Sequence, residues 1–316
     1  MNRRSPSRLL SPLARYLDVL ALQLMHPQDG AFVDFAQPAG EPALVGPHSL
    51  SWRIFKNPVA LFVGGVAAVI LELADPAVRT GVWEHTSFRT HPVQRLQRTG
   101  LAAMITVYAP KSVATAMIAK VVQLHDRIAG STPSGETYRA SDLELLNWVQ
   151  ATAVFGFAEA YNRFVAPLSE AELSQIFAKS EPAAHLYGAV GSPRSVREWS
   201  VLLESMRPRL ESSPIVFEFL EIMRSAPVLP PALRPLQKLL LQAAVETTPD
   251  WVRERLGLGR NHGLSKVAGG LVRGCGALAD RIVLRSSPAV RSCIRLGLPE
   301  NFLYESRDGV RPARHS

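Results

Sequence analysis

Cysteine is almost missing from this 316-residue chain: Cys275 and Cys293 are its only two. Two cysteines build neither a disulfide framework nor a thiolate metal cluster, and a reducing cytoplasm is the expected compartment. Aromatic residues make up only 7% of the chain, and no basic stretch is interleaved with aromatics of the kind that stacks bases. Nucleic acid is therefore not an expected partner, despite a formal net charge of +8. The longest run without charge, "NPVALFVGGVAAVIL" at 57–71, falls short of the about 18–20 apolar residues that span a bilayer. It reads as a buried core helix, with Gly64 and Gly65 where another backbone approaches. The N-terminal run "LLSPLARYLDVLALQLM" is broken by Arg15 and Asp18, so a cleaved signal is not expected. Also missing are H-E-x-x-H, G-x-S-x-G, a Walker loop and a strand followed by G-x-G-x-x-G.

What is present is helical pattern almost throughout. Hydrophobic residues make up 47%, enough for a large core, and alanine, leucine and arginine favour helix. Apolar residues recur at spacings of three and four. Helices are expected near 8–26, 57–73, 76–84, 92–108, 111–129, 141–166, 169–187, 194–208, 214–224, 231–245, 249–257, 263–284 and 288–296. Ser141 with Glu144, Ser169 with Glu172 and Ser195 with Glu198 have capping-box spacing. Residues 27–50 read as loop with a small hairpin around "GAFVDF", and 130–140 as a turn. Gly270 and Gly274 form a G-x-x-x-G whose expected meaning is close helix packing. The expected organisation is one all-α domain. It has an N-terminal helix and loop (1–50), a central core (51–225), C-terminal helices completing the same domain (226–298) and a disordered tail (299–316).

The basic excess gathers at the ends. Arg3, Arg4, Arg8 and Arg15 precede any acid, and seven arginines follow from position 281. Such ends suit an anionic surface, so peripheral membrane contact is one expectation.

Three segments could carry chemistry. In "SVATAMIAKVVQLHDRIAG", Ile118, Val121, Val122, His125 and Ile128 share one stripe while Lys120, Gln123 and Arg127 point away. A histidine on an apolar face is either a core imidazole bonded to a carbonyl or a neutral axial ligand to haem iron. In "HPVQRLQRTG", Arg95, Arg98 and Thr99 share one helix face, either as a solvated first turn or as an inward cationic patch. "VWEHTSFRTHP" offers Glu84, His85 and His91, whose spacing matches no strong zinc pattern. Gln150 sits among apolar residues, where an amide satisfies itself against a neighbour.

The ordered segments "LELADPAVRTGVWEHTSFRTHPVQRLQRTG", "VVQLHDRIAG" and "YRASDLELLNWVQATAVFGFAEAYNRFVAPLSEAE" together resemble the mpaB-type and rubber-oxygenase family, which includes bacterial latex-clearing proteins and a fungal oxygenase. The likeness covers about residues 50–200. It implies a globin-like all-α core around haem b, which with O₂ cleaves a carbon–carbon double bond in an apolar, isoprenoid substrate. It also implies His125, in "QLHDRI", as the iron ligand, with Ile128 in place of the family's valine. Arg95, Arg98 and Thr99 would be the counterpart of the rubber oxygenases' Arg-x-x-Lys-Thr on the oxygen or propionate side. Arg98 departs from the family's lysine: a guanidinium does not deprotonate, so an amine ligand to iron is excluded. Gln150, in "WVQA", stands where many bacterial relatives have histidine, and is carried over as a cofactor contact. For the carboxylate base of the rubber oxygenases, Glu72 and Glu84 are the candidates. Two alternatives remain open: a non-enzymatic haem- or lipid-binding helical protein, and a non-haem metal hydrolase built on His85, His91 and Glu84.

Overall fold

The computed structural model describes residues 33–259 and 262–305. The helix expected at 8–26 lies outside them. Among the described residues there are thirteen α-helices and one two-stranded hairpin, so the all-α expectation holds. In chain order the helices are α1 (Leu50–Phe55), α2 (Pro58–Ala74), α3 (Pro76–His85), α4 (Pro92–Tyr108), α5 (Lys111–His125), α6 (Leu143–Phe164), α7 (Glu170–Leu186), α8 (Val196–Ser205), α9 (Pro214–Ser225), α10 (Arg234–Thr247), α11 (Asp250–Arg255), α12 (Lys266–Ala279) and α13 (Pro288–Arg295). The hairpin, β1 (Ala129–Ser131) with β2 (Thr137–Arg139), stands between α5 and α6.

The core is organised around α2, the long uncharged run. It packs antiparallel on α6 through glycine: a Cβ at Gly64 would lie 2.6 Å from Phe157 Cα, and one at Gly156 would lie 2.5 Å from the Gly64 carbonyl oxygen. Only hydrogen fits at either position. Gly65, the neighbour expected to share this role, meets only the Phe157 ring at ordinary distance.

Two side-chain caps fix the ends of α2. Asn57 Oδ1 accepts from the amides of Val59 and Ala60 at 3.0 and 3.1 Å. Its Nδ2 donates to the Gly276 carbonyl at 3.0 Å and so ties α12 to the start of α2. At the far end Asp75 caps α3 by accepting from Ala77 and Val78. Proline opens both helices, where a missing N–H costs nothing. The chain turns 110° between α2 and α3. No single helix among the described residues is long and apolar enough to cross a membrane.

A second layer joins the two ends of the described chain. Arg295 is buried, and its guanidinium donates to the carbonyls of Phe35, Glu41 and Tyr108 at 2.7–2.8 Å. The chain after Pro299, expected to be disordered, is ordered up to Glu305, with Leu303 buried against Trp52 and Tyr108. Residues 306–316 lie outside the described range.

Several local expectations need correction. Residues 130–140 form a hairpin, not a bare turn: Tyr138 lies opposite Gly130, and its ring packs over Gly130 and Gly81. Helix α5 therefore stops at His125. The capping box at Ser141 does not form. Asp142 holds the N-cap position, and its carboxylate accepts instead from the Arg139 amide at 2.8 Å, bracing the hairpin. Ser169 and Glu172 make the full box. Ser195 caps α8, but Glu198 reaches the amide of Arg194 rather than closing the box. In α12 the close packing falls to Gly276, pressed against the Phe164 carbonyl, while Gly270 and Gly274 face open space. Residues 33–35 of the expected "GAFVDF" hairpin form no strand. Helix α1 was not expected, since six residues are too few to show a period.

The glycine contact predicts a contrast. Gly156→Ala should lower stability by roughly 2–3 kcal/mol or more through overpacking against backbone that cannot yield. Gly270→Ala should be neutral or gain up to about 1 kcal/mol from helix propensity. Urea denaturation midpoints of the two variants measure the difference.

Candidate functional site

Three elements bring their polar residues together beside the α2–α6 pair. Glu72 comes from the last turn of α2, Arg95 from the first turns of α4, and His125 from the last position of α5. All three are half-buried, yet all three are partly stripped of water. The surface the three share is partly covered, a recess in the sense of burial alone.

The electrostatics bind them into one unit. Desolvation raises the Glu72 carboxyl from 4.5 to about 7, against the opposing pull of the Arg95 charge and a contact with Thr152. Desolvation also lowers the Arg95 value; Glu72 supports the charge and Arg98 opposes it. The His125 imidazole is lowered by desolvation first and by Arg95 second, with Asp126 working the other way. Arg95 thus stands near enough to influence both a carboxyl and an imidazole. A neutral imidazole is the form that binds metal.

The hydrogen bonds sharpen this picture. Thr99 Oγ1 donates to the Arg95 carbonyl at 2.9 Å and receives a short bond from Arg95 Nη1, so the hydroxyl fixes the guanidinium. The Thr152 hydroxyl donates to the Val149 carbonyl at 2.9 Å and is also within 3.5 Å of Glu72 Oε1 as a donor, a contact that favours the ionised carboxyl. His125 Nδ1 is sealed from solvent with no hydrogen-bond partner among the described residues. Dehydrating such a nitrogen without a partner is costly, and it suits a group that gains one when something binds.

The other expected residues are placed differently. Arg98 and Thr99 are exposed, and of their face Arg95 alone is drawn inward. Arg98 acts on Arg95 as a second positive charge. Gln150 is half-buried on α6, two residues and thus about 200° around the helix from Thr152. No contact brings it to Glu72, Arg95 or His125. Glu84, His85 and His91 are exposed, and His91 Nδ1 lies 3.0 Å from Thr90 Oγ1. Among the described residues no three histidine, cysteine or carboxylate side chains gather as a metal site, so the hydrolase alternative finds no constellation. Of the two carboxylates singled out in the sequence, Glu72 reaches the group and Glu84 does not. Thr152 was missed; its only signal was its place, one α6 turn before Gly156.

The raised Glu72 value has a signed consequence for stability. The folded chain keeps this proton up to about pH 7, whereas the unfolded chain releases it near 4.5. Its contribution is complete at low pH and is lost as pH rises through 7. The span corresponds to roughly 3 kcal/mol before screening by the solvent the side chain still meets. Glu72→Gln should therefore flatten the pH dependence. Its stability relative to wild type should rise by about 2 kcal/mol between pH 5 and pH 8, measured by denaturant unfolding. Parallel curves for the two proteins would show that the carboxyl is not perturbed.

Compared with known proteins, residues 52–277 match the family model described as the ER-bound oxygenase mpaB/B'/rubber oxygenase catalytic domain. No curated protein and no solved structure matches the chain. The matched span runs from α1 through α12 and contains every residue of the recess, and the chain belongs to this oxygenase family.

Proposed function

We propose that the chain is a haem b-dependent oxygenase acting with O₂ on an apolar, isoprenoid or lipid-like substrate. The observation that carries the reading is the Glu72–Arg95–His125 group, set inside the span that matches an oxygenase catalytic domain. The half-buried ring of His125 at the end of its helix, with its neutral form favoured, suits an axial ligand. The chemistry a bound haem supplies is the binding and activation of dioxygen.

The protein's own part is electrostatic. His125 would hold the iron, and desolvation, with the Arg95 charge second, favours its unprotonated imidazole. Arg95, pinned by Thr99, offers a fixed positive charge to whatever negative charge develops in the recess. Arg98, exposed one turn on, suits a carboxylate at the mouth, such as a propionate. Gln150 is assigned to cofactor contact on the resemblance alone. Glu72, holding its proton to about 7, is poised to take or give a proton at neutral pH. Thr152 donates towards its ionised form.

Hemin added to the purified full chain should give a Soret band that His125→Ala abolishes or shifts. No band in the wild type, or an unchanged band in the variant, would overturn the assignment. Glu72→Gln should leave the band in place and lower O₂ consumption on an isoprenoid substrate by about 10²–10⁴-fold.

A further inference from the structure

Helix α12 is apolar on both sides. Its inner side, through Gly269, Val272 and Gly276, packs on the end of α6. Its outer side shows Val267 at 79%, Leu271 at 58% and Leu278 at 47% exposure. These three stand at i, i+4 and i+11 and form a single stripe, with Gly270 and Gly274 open beside it. A helix that is hydrophobic all round is ordinarily buried on both faces. Among the described residues the outer face of α12 therefore lacks a cover.

Charge says what the cover is. The helix contains no acid, and Lys266 and Arg273 project along one flank, both exposed. Arg281 follows just past its end, also exposed. The nearest carboxylate, Asp280, is turned inward and engages Lys56 Nζ at 2.8 Å, so it does not neutralise this flank. A second copy of the helix would bring like charges together without a counter-ion. Three aliphatic side chains and a glycine strip also cover only a few hundred Å², well below the about 800 Å² per partner of a stable dimer. The N-terminal segment is a poor cover for the same reason, since Arg3, Arg4, Arg8 and Arg15 make it basic. An anionic bilayer surface meets both needs: acyl chains for the stripe and headgroups for the flank.

We propose that the outer face of α12 docks the protein on anionic lipid bilayers, with Val267, Leu271 and Leu278 entering the acyl boundary and Lys266, Arg273 and Arg281 meeting lipid phosphates and carboxylates. The proposal stands apart from the haem reading, because α12 contributes none of the recess residues.

The test is co-sedimentation of the full chain with vesicles of phosphatidylcholine alone and with about a third phosphatidylserine. Binding should require phosphatidylserine and weaken with salt. The double variant Lys266→Glu, Arg273→Glu should bind at least about 25-fold more weakly, taking about fivefold per cation lost. Val267→Ser with Leu271→Ser should also weaken binding while every cation remains, which separates insertion from simple charge attraction. All of these positions are exposed, and circular dichroism should show unchanged helix content in each variant. Failure of the wild type to bind anionic vesicles, or equal binding by either double variant, would overturn the proposal. So would a dimer in solution that the Val267→Ser, Leu271→Ser variant dissolves, since the stripe would then be covered by a second copy.

Discussion

The approach of α2 to α6 at Gly64 and Gly156 is the constraint on which the rest depends. With a side chain on either residue the two backbones could not come this close. The contact sets where the last turns of α2 fall along α6. Two turns beyond Gly64 comes Glu72, and one turn before Gly156 comes Thr152; the antiparallel pairing brings them together. The carboxyl is thus delivered to the recess by packing rather than by a partner of its own. Its desolvation follows from that delivery. Asn57 and Asp75, capping α2 and α3, hold the helix at the depth that keeps Glu72 in place. Asn57 also binds α12, so the central helix and the C-terminal layer share one anchor.

The second determinant is the stop at the end of α5. The helix ends at His125 because the hairpin begins four residues later, with Tyr138 seated over Gly81 and Gly130. Gly81 lies on α3, so the hairpin is tied to the helix that follows α2. The position of His125 is therefore set from both sides, by its own helix and by a strand pair anchored next to the core. That is a common way for a fold to place a functional side chain: a rigid element carries it, and the element's end is fixed by a separate contact.

Much of this was legible in the sequence. Helix periods, proline edges and caps located nearly every helix, because each signal is local. The close approach at Gly64 was readable from a glycine inside an uncharged helix, but not which glycine of the pair would serve, nor that Gly156 would answer it. That depends on crossing geometry. For the same reason Gly270 and Gly274 read as packing residues, and the structure gave that role to Gly276. The capping box at Ser141 failed because Asp142 took the N-cap position and its carboxylate turned back to the Arg139 amide of the hairpin, an element that the helix pattern does not show. His125 and Arg95 were visible as candidates on their own stripes. Their union with Glu72 was not, because three helices meet there and no spacing along the chain encodes it. The ligand role proposed for His125 comes from the family resemblance, since periodicity alone left it open.

The substitution that sets this chain apart from the rubber-oxygenase motif also becomes easier to weigh. Position 98 is exposed, so a lysine there would stay charged as well; what Arg98 brings is a planar, forked set of donors, and its charge opposes that of Arg95. The group then has one inward cation, Arg95, and one adjustable acid, Glu72, with Arg98 a second cation on the exposed side. With Glu72 protonated, the Arg95 field at His125 is opposed by Asp126 and no longer by Glu72. With Glu72 ionised, the carboxylate pairs with Arg95 and part of that field is cancelled. Because the carboxyl changes state at about 7, the field felt by the imidazole depends on pH in the neutral range. Arg95 is the charge that both groups feel, and Glu72 is the one of the three whose proton is released near neutral pH.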